Sequence, residues 1–278
     1  MTATAEAIER GVLGERLWFY SNYHCNLRCS YCLTESAPGV ARRELSAETI
    51  VAAAEEGAEL GFQAFGITGG EPFLREDLTG IIARLARIAP TLILSNATVF
   101  NARRLRELEA LEGLPVQVQI SLDRPDPDVN DEMRGHGNFA KVVDAIPKLL
   151  ARGIGVRIAT TVDDPATADA VEMERLCELH RSLGVPDCDH VVRPIIRRGR
   201  AATGELGRGV GFEDFEPELT ITADGAFSTP FGPTVTGGRL DTDLLVTRAT
   251  SPLRRPVDAL MRIAGEQSAG ADARIGIR

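Results

Sequence analysis

Residues 17–32 read Leu-Trp-Phe-Tyr-Ser-Asn-Tyr-His-Cys-Asn-Leu-Arg-Cys-Ser-Tyr-Cys, an apolar run followed closely by three cysteines. The run Leu17–Tyr23 predicts a buried β-strand. Cys25, Cys29 and Cys32 follow with the spacing C-x3-C-x2-C, so one loop at the carboxyl end of that strand carries three thiols. α/β barrels place their chemistry at this end of the strands. The stretch therefore predicts a metal or redox site at the mouth of a parallel sheet.

The alternation of strand and helix continues through the first 200 residues. Five more strands are predicted at Gln63–Thr68, Leu92–Ser95, Val116–Ser121, Ile154–Val162 and His190–Ile195. Repeated β–α units indicate a parallel sheet with right-handed crossovers and outer helices. Because six units fall short of the eight in a closed barrel, we predict an α/β fold, an incomplete (β/α)6 barrel.

Helices are predicted between these strands. Ser46 is a candidate N-cap for a helix that runs to about Leu60, and Gly61 stands where a C-terminal glycine belongs. Other helices are expected at 76–88, 101–112, 138–152 and 166–183, and Pro147 is expected to kink or shorten the third of these.

The fourth strand, Val116–Ser121, alternates apolar residues with Gln117, Gln119 and Ser121. Polar residues on the inner face indicate an open, partly wetted barrel that holds a ligand, since a closed core is filled with apolar side chains. The alternative is an edge strand with a solvated face.

Composition changes after Arg200. The acidic, glycine-rich segment 201–217 is predicted to be a linker, followed by strands at Leu219–Thr222 and from Ala226, and by a helix at Pro252–Ile263. The last residues are predicted to fray. We therefore predict an N-terminal tail at 1–14, a partial barrel at 15–200 and a small α+β extension at 201–278.

Bulk properties exclude several function classes. The chain of 278 residues carries a formal charge of −9, so it has no general attraction for the phosphates of nucleic acids. No apolar run is long enough to cross a bilayer, and the N-terminus is not a secretory signal. The five cysteines do not form a disulfide framework. We expect a cytoplasmic protein with neither nucleic acid nor membrane as partner.

Three thiols in one loop allow several metal sites. A [4Fe–4S] cluster normally has four thiolate ligands, so three cysteines leave one iron open to another molecule. Alternatively, the thiols together with His24 or His136 form a structural Cys3His zinc site. A third interpretation is a cluster that only transfers electrons.

The spacing, with Tyr31 before the third cysteine, resembles the signature of the radical S-adenosylmethionine (radical SAM) superfamily. The resemblance implies a cluster on Cys25, Cys29 and Cys32 whose open iron binds S-adenosylmethionine. It further implies an oxidoreductase-type enzyme that cleaves this cofactor reductively and abstracts hydrogen from an organic substrate. A lone cluster also needs a low-potential electron donor such as flavodoxin or ferredoxin.

Segments at the ends of later strands carry the same resemblance. Gly69-Gly70-Glu71-Pro72 resembles the family's GGEP motif, which contacts the amino group of the cofactor, and two glycines allow a close backbone approach. The segment around Asn96 resembles the third-strand end, commonly Thr-Asn-Gly-Thr, with Ala97 in place of the glycine. Ser121-Leu122-Asp123, followed by Asn130-Asp131 and Arg134-Gly135, resembles the SPASM-type branch.

Roles for these residues follow from the resemblance. It implies that Ser121 and Arg134 bind the cofactor carboxylate, which suits a hydroxyl and a guanidinium donor. It places Tyr31 beside the adenine. Residues 219–227 resemble the opening of a SPASM or twitch extension, but no cysteine follows Cys188, so we predict one cluster per chain and no auxiliary cluster.

Other candidate residues are weaker. Cys177 and Cys188 are interpreted as small core residues, and His180 and His190 as isolated surface or capped core histidines. Four arginines cluster near the end of the sixth strand, namely Arg193, Arg197, Arg198 and Arg200. The hypothesis is that one or two of them hold a carboxylate or phosphate of the substrate. The alternative is a solvated basic loop.

The substrate is the least determined property. Only about sixteen residues precede the first strand, fewer than a domain that grips a leader peptide needs. We therefore expect a small molecule of natural-product or cofactor biosynthesis, which the arginines would suit if it is anionic. The alternative is a ribosomal-peptide maturase of the same superfamily.

Overall fold

The computed structural model describes residues 2–211 and 214–267. Six parallel strands form one continuous sheet in chain order, each paired with the next. This confirms the incomplete (β/α)6 barrel. The predicted fraying concerns residues outside the described ranges. The strands are β1 (Arg16–Tyr20), β2 (Ala64–Thr68), β3 (Thr91–Ser95), β4 (Val116–Ser121), β5 (Gly155–Val162) and β6 (His190–Pro194).

Helices flank the sheet, and local signals account for their ends. Ser46 caps the second helix by accepting a hydrogen bond from the amide of Thr49, and Gly61 ends it at a φ of 114°. Pro147 does not shorten its helix, which continues to Leu150. The helices are α1 (Ala3–Glu9), α2 (Ala47–Leu60), α3 (Leu78–Ala86), α4 (Ala102–Glu107), α5 (Pro127–Arg134), α6 (Asn138–Leu150), α7 (Ala170–Ser182), α8 (Arg200–Thr203) and α9 (Arg254–Gln267).

Three of the described helices were not expected from the sequence, and one of them, the short α8, lies at the start of the segment predicted to be a linker. α1 lies within the segment predicted to be a tail, and α5 lies within the segment treated only as a motif. Asp126 caps α5 by accepting hydrogen bonds from two backbone amides, and Pro127 occupies its first turn. No helix of the described residues is both long and apolar enough to span a membrane.

The C-terminal extension continues the same sheet beyond β1. β7 (Leu219–Thr222) pairs with β1 in parallel, and β8 (Gly225–Ser228) and β11 (Leu245–Thr247) follow in antiparallel pairs. β9 (Val235–Thr236) and β10 (Arg239–Leu240) form a separate hairpin. The predicted α+β extension is thus confirmed, and it covers the side of the barrel next to β1.

The polar strand β4 lies inside the sheet, between β3 and β5, so the edge-strand interpretation is wrong. Its glutamines bind protein groups. Gln119 is buried and accepts a hydrogen bond from Arg193 Nη2 at 2.9 Å, and Gln117 donates to Asp189 at 3.1 Å. Only Ser121, at the carboxyl end of the strand, reaches the cavity described below.

A small cluster around Trp18 fills part of the inside of the barrel. Trp18 is fully buried and packs with Leu92, Leu94 and Phe231. Gly66 of the neighbouring strand makes room for it, since a Cβ there would lie 2.2 Å from the indole ring. The large apolar core lies on the other side of the sheet, beneath the helices.

The buried carboxyl group of Glu218 lies beside Trp18. Glu218 accepts a hydrogen bond from Trp18 Nε1 at 3.2 Å. Burial, helped by the nearby Glu216, raises the pKa of Glu218 to about 8, although Arg16 and Arg193 act in the opposite direction. The folded state therefore holds a proton on this carboxyl group at neutral pH.

This carboxyl group predicts a pH-dependent stability. Because its pKa is higher in the folded than in the unfolded chain, its stabilising contribution is complete below the ordinary value of 4.5 and is lost as pH rises through about 8. We expect the wild type to lose about 2–3 kcal/mol between about pH 6 and pH 8 relative to Glu218→Gln. Urea unfolding of both proteins measures this. A Glu59→Gln control should keep the wild-type slope, and a wild type that parallels Glu218→Gln would contradict the prediction.

Candidate active site

A cavity opens at the carboxyl ends of the parallel strands, with about 870 Å³ of space including the part open to solvent. Its walls come from the cysteine loop and from segments after β2, β3, β4, β5 and β6. Nine of the ten predicted site residues line it, all except Glu71. The lining comprises Cys25, Leu27, Cys29, Tyr31, Cys32, Leu33, Thr34, Ser36, Thr68, Gly69, Gly70, Leu94, Ser95, Asn96, Ser121, Arg134, Thr161, Arg200 and Phe231.

The three thiols of the loop are free. Cys25 Sγ accepts a hydrogen bond from the Leu27 amide at 3.4 Å, and the Cys29 thiol donates to the carbonyl oxygen of Arg134 at 3.7 Å. Burial, together with the Glu71 carboxylate, raises the pKa of Cys25 to about 12, and burial also raises that of Cys29. Without a metal the Cys25 and Cys29 thiols stay protonated at neutral pH, so binding of a metal there would release protons.

A single metal ion does not fit this arrangement. Within residues 2–211 and 214–267, no three cysteine, histidine, aspartate or glutamate side chains surround a point that one ion could occupy. His24 lies beside Glu44 at 3.7 Å, and neither His24 nor His136 lines the cavity. The thiols nevertheless share one cavity, and a cubane cluster spreads its ligands over a wider space than one ion does. The donor set therefore fits an iron–sulfur cluster.

The two glycines of the GGEP segment bring their turn against the cysteine loop. A Cβ on Gly70 would lie 2.1 Å from the carbonyl oxygen of His24, and one on Gly69 would lie 2.6 Å from Asn22 Oδ1. The amide of Gly70 donates to Asn22 O at 2.8 Å, and that of Glu71 donates to His24 O at 3.1 Å. The glycines are required here by contact between two protein backbones.

Glu71 lies behind the cavity wall and is fully buried. Its Oε1 accepts hydrogen bonds from Phe73 N at 3.0 Å and Ser95 Oγ at 2.9 Å, and its Oε2 accepts from Asn96 N at 2.8 Å. Burial raises the pKa of Glu71 to about 7, against the effect of these donors. The side chain thus joins the end of β2 to the end of β3.

Asn96 connects that end of β3 to the first cysteine. Its Nδ2 donates to Cys25 Sγ at 3.6 Å and to Asn26 Oδ1 at 3.0 Å. The next residue, Ala97, has a φ of 57°, in the left-handed region that favours glycine. The positive φ explains why glycine is common at this position of the resembled motif. Ala97 adopts the same left-handed conformation here.

Tyr31 and Arg134 meet at Asp123. The Tyr31 hydroxyl donates to Asp123 Oδ2 and contacts Arg134 Nη1, which donates to the same carboxylate oxygen at 3.1 Å. Burial raises the pKa of the Tyr31 phenol well above its usual value. Arg134 is buried, and its Nε has no hydrogen-bond partner. An unpaired buried guanidinium nitrogen at the cavity wall suits an anionic ligand group.

The four arginines in and after β6 do not act together. Arg193 binds Gln119 inside the barrel, Arg197 donates to the carbonyl oxygen of Gly207 on an exposed loop, and Arg198 pairs with Asp243. Only Arg200 lines the cavity. Their positions do not support a shared anion site.

The sequence did not indicate the actual roles of two cavity-lining residues, Arg200 and Phe231. Arg200 was assigned to the substrate, whereas its side chain binds the cysteine loop. Phe231 lies in the extension, 200 residues from the loop, and its Thr-Pro-Phe-Gly-Pro context gives only a turn signal. Neither contact is encoded by a local pattern.

The discounted residues lie away from the cavity. Cys188 is exposed, so its interpretation as a core residue is wrong, and Cys177 lies 3.7 Å from His190 Nδ1. His180 is fully buried and packs edge to face on His190 at 4.5 Å, so these histidines are not isolated.

Comparisons with known proteins agree with this geometry. The family model of the Radical SAM superfamily matches residues 20–176, more than half of the chain. A probable GTP 3′,8-cyclase of Archaeoglobus fulgidus is 40% identical over 134 residues, covering 47% of this chain and 43% of that protein. The PqqA peptide cyclase of Ruegeria pomeroyi is 33% identical over 173 residues, covering 58% of this chain and 42% of that protein. The chain therefore spans less than half the length of these relatives.

A solved structure shares the fold. Streptococcus suis SuiB bound to S-adenosylmethionine superposes with a TM-score of 0.59 at 15% identity, covering 75% of this chain and 47% of SuiB. At this identity the likeness concerns the fold alone.

The contact of the GGEP turn with the cysteine loop predicts opposite effects of one substitution at two glycines. Gly70→Ala should destabilise the chain by about 2–3 kcal/mol, or roughly 5–10 °C in Tm, because the new methyl group meets backbone. Gly80→Ala should stabilise it by about 0.5–1 kcal/mol, because Gly80 is an exposed position inside α3 with open space around it. Thermal unfolding measures both, and equal shifts would contradict the tight contact at Gly70.

Proposed function

The chain belongs to the Radical SAM superfamily, and from this premise we propose that its cavity holds a [4Fe–4S] cluster on Cys25, Cys29 and Cys32 together with S-adenosylmethionine. The family uses this cluster and this cofactor. When bound, they supply reductive cleavage of the sulfonium and a 5′-deoxyadenosyl radical that takes hydrogen from an organic substrate. We propose that activity for this protein.

One observation carries the proposal. Three thiols of one loop share a single cavity with the glycine turn, Asn96, Ser121 and Arg134. These groups come from four different strand ends and more than a hundred residues of chain. A structural zinc site would need none of them.

The proposed roles follow from the contacts. Arg134, through its unpaired Nε, and Ser121 bind the cofactor carboxylate. Gly69 and Gly70 offer backbone groups to its amino group, as the resembled motif implies. Tyr31 keeps Arg134 oriented through Asp123 while its ring borders the cavity.

Glu71 and Asn96 have less direct roles in this proposal. The oxygens of Glu71 already accept three hydrogen bonds, so we assign it to positioning the glycine turn and Asn96. Asn96 donates to Cys25 Sγ, and a donor to a coordinating sulfur orients the ligand and tunes the cluster.

Residues 229–236, here named the strap, are relevant to the size of the substrate that the barrel can admit. Phe231 of the strap lines the cavity, and Gly232 lies against the ring of Tyr20, where a Cβ would be 2.2 Å from the ring. The amide of Val235 donates to Leu33 O at 3.1 Å. The strap therefore runs along the inner side of β1, past Trp18 and Tyr20, to the cysteine loop. It takes up space inside the barrel, which favours a small-molecule substrate.

A peptide substrate is the second candidate, favoured by the similarity to a PqqA peptide cyclase. The similarity to a GTP 3′,8-cyclase favours the small molecule equally by sequence. The strap decides our preference for the small molecule. We further propose a cytoplasmic location, an external flavodoxin or ferredoxin as reductant, and the division into a barrel at 15–200 and an extension at 201–278.

Cluster binding and cofactor cleavage form the central test. After anaerobic reconstitution, the wild type should hold about four irons per chain and, with dithionite and S-adenosylmethionine, release 5′-deoxyadenosine. Cys29→Ala should lose the cluster and at least about 99% of this release, since catalysis needs the bound group. Cys188→Ala, at an exposed cysteine, is the matched control and should behave as wild type. Tetrahedral zinc, or a cluster without 5′-deoxyadenosine, would overturn the proposal.

Substrate class is tested by fractionation. The metabolite fraction of an extract of the source organism should stimulate release of 5′-deoxyadenosine, because the strap takes up space inside the barrel and leaves room for small molecules. The peptide fraction of the same extract should give no stimulation. The reverse result would support the peptide alternative and contradict our preference.

A further inference from the structure

Arg200 holds the cysteine loop from the opposite side of the barrel mouth. Its Nε donates to Cys29 O at 2.8 Å, and its Nη2 donates to Ser36 O at 2.6 Å. Its backbone amide donates to Cys32 O at 3.0 Å. Three donors of one residue thus fix three carbonyl groups spread across the loop.

The preceding residue makes this approach possible. Gly199 has a φ of 55°, and a Cβ there would lie 2.3 Å from Leu33 O and 2.7 Å from Cys32 O. The segment after β6 therefore lies directly on the backbone of the cysteine loop. β6 is one of the two edge strands of the sheet, β11 being the other, whereas β1 pairs on both sides, with β2 and β7. Contacts of Arg200 consequently close the mouth where no strand pairing does.

Arg200 also separates two spaces. Its side chain lines the cavity that contains the thiols, and it lines an outer groove together with Arg28, Pro38 and Gly237. A guanidinium in this wall lies beside the loop backbone and between the thiols and solvent. Both net charge and solvent exposure around a cluster set its reduction potential.

We propose that Arg200 is a positioning residue that orients Cys29 and Cys32 toward the cavity and, through its positive charge, raises the reduction potential of the bound cluster. This inference rests on the proposed function, because it presupposes the cluster. Orienting the cysteines depends on the planar guanidinium of arginine, because it binds two carbonyl groups at fixed angles. Raising the reduction potential depends on its positive charge alone.

Substitutions separate the two roles. Arg200→Lys keeps the charge and loses the planar guanidinium, whereas Arg200→Met loses both. Arg197→Met is the matched control, because Arg197 belongs to the same loop and its side chain donates to Gly207 O, away from the cysteine loop. Each protein is reconstituted anaerobically, challenged with an iron chelator and titrated redox-potentiometrically with detection by electron paramagnetic resonance.

We expect Arg200→Lys and Arg200→Met to lose iron about tenfold faster than the wild type, as is usual when a partner of a ligand is removed. Only Arg200→Met should shift the midpoint potential to more negative values. Arg197→Met should match the wild type in both readouts. If Arg200→Met assembles no cluster, Arg200→Gln, which keeps a donor without charge, should show the same negative shift.

Contrary outcomes are distinct. A wild type that takes up no cluster overturns the proposed function and this inference with it. A wild type with a normal cluster, and an uncharged variant at residue 200 with unchanged potential and iron retention, overturns the role of Arg200 alone. A change in retention without a change in potential overturns the electrostatic role.

Discussion

The contact between two backbones, at the ends of β1 and β2, is the constraint on which the site depends. The Gly70 amide reaches Asn22 O at 2.8 Å, and no side chain fits at residue 70. Because Glu71 follows directly, its carboxylate is buried at a fixed place and accepts the amide of Asn96. Asn96 in turn reaches Cys25. A chain of contacts thus passes from the glycine turn through β3 and back to the first cysteine.

Contacts with a buried ion pair, Asp123 and Arg134, hold the part of the cysteine loop that contains Cys29 and Tyr31. Asp123 has no solvent exposure and shares one oxygen with Tyr31 and Arg134, while its Oδ1 accepts the amide of Thr161. Arg134 O accepts the Cys29 thiol. A buried aspartate without these partners would be costly. The loop is therefore ordered by protein contacts on both sides, which reduces the reorganisation needed when a ligand binds.

Local signals explain what the sequence could predict. The cap at Ser46, the glycine at Gly61 and the period of the apolar runs depend on neighbours along the chain, and the structure has these features where expected. The cysteine loop and the glycine turn were also recognisable, because each is a short motif. The exact partners of Glu71 were not, since a carboxylate beside two glycines can face a ligand or the protein.

Contacts that close the barrel had no local signal. Arg200 meets the cysteine loop across 171 positions of sequence, and the four arginine candidates, Arg200 among them, were equivalent by sequence alone. Phe231 reaches the cavity because β7 pairs with β1 and the chain that follows β8 returns along Trp18 inside the barrel. Such placements depend on the topology of the whole sheet.

The charges of the cavity constrain what else it accepts. Arg134 shares its charge with Asp123, and the donors of Arg200 are directed to backbone carbonyl groups. Arg134 would be engaged by the proposed cofactor carboxylate, and the Nε and Nη2 of Arg200 are engaged by the cysteine loop, which leaves few donors for a strongly anionic substrate. The remaining walls offer apolar surface from Leu94 and Phe231 and the hydroxyl of Thr161. A neutral molecule with an apolar face matches these walls better than a phosphate or a carboxylate does.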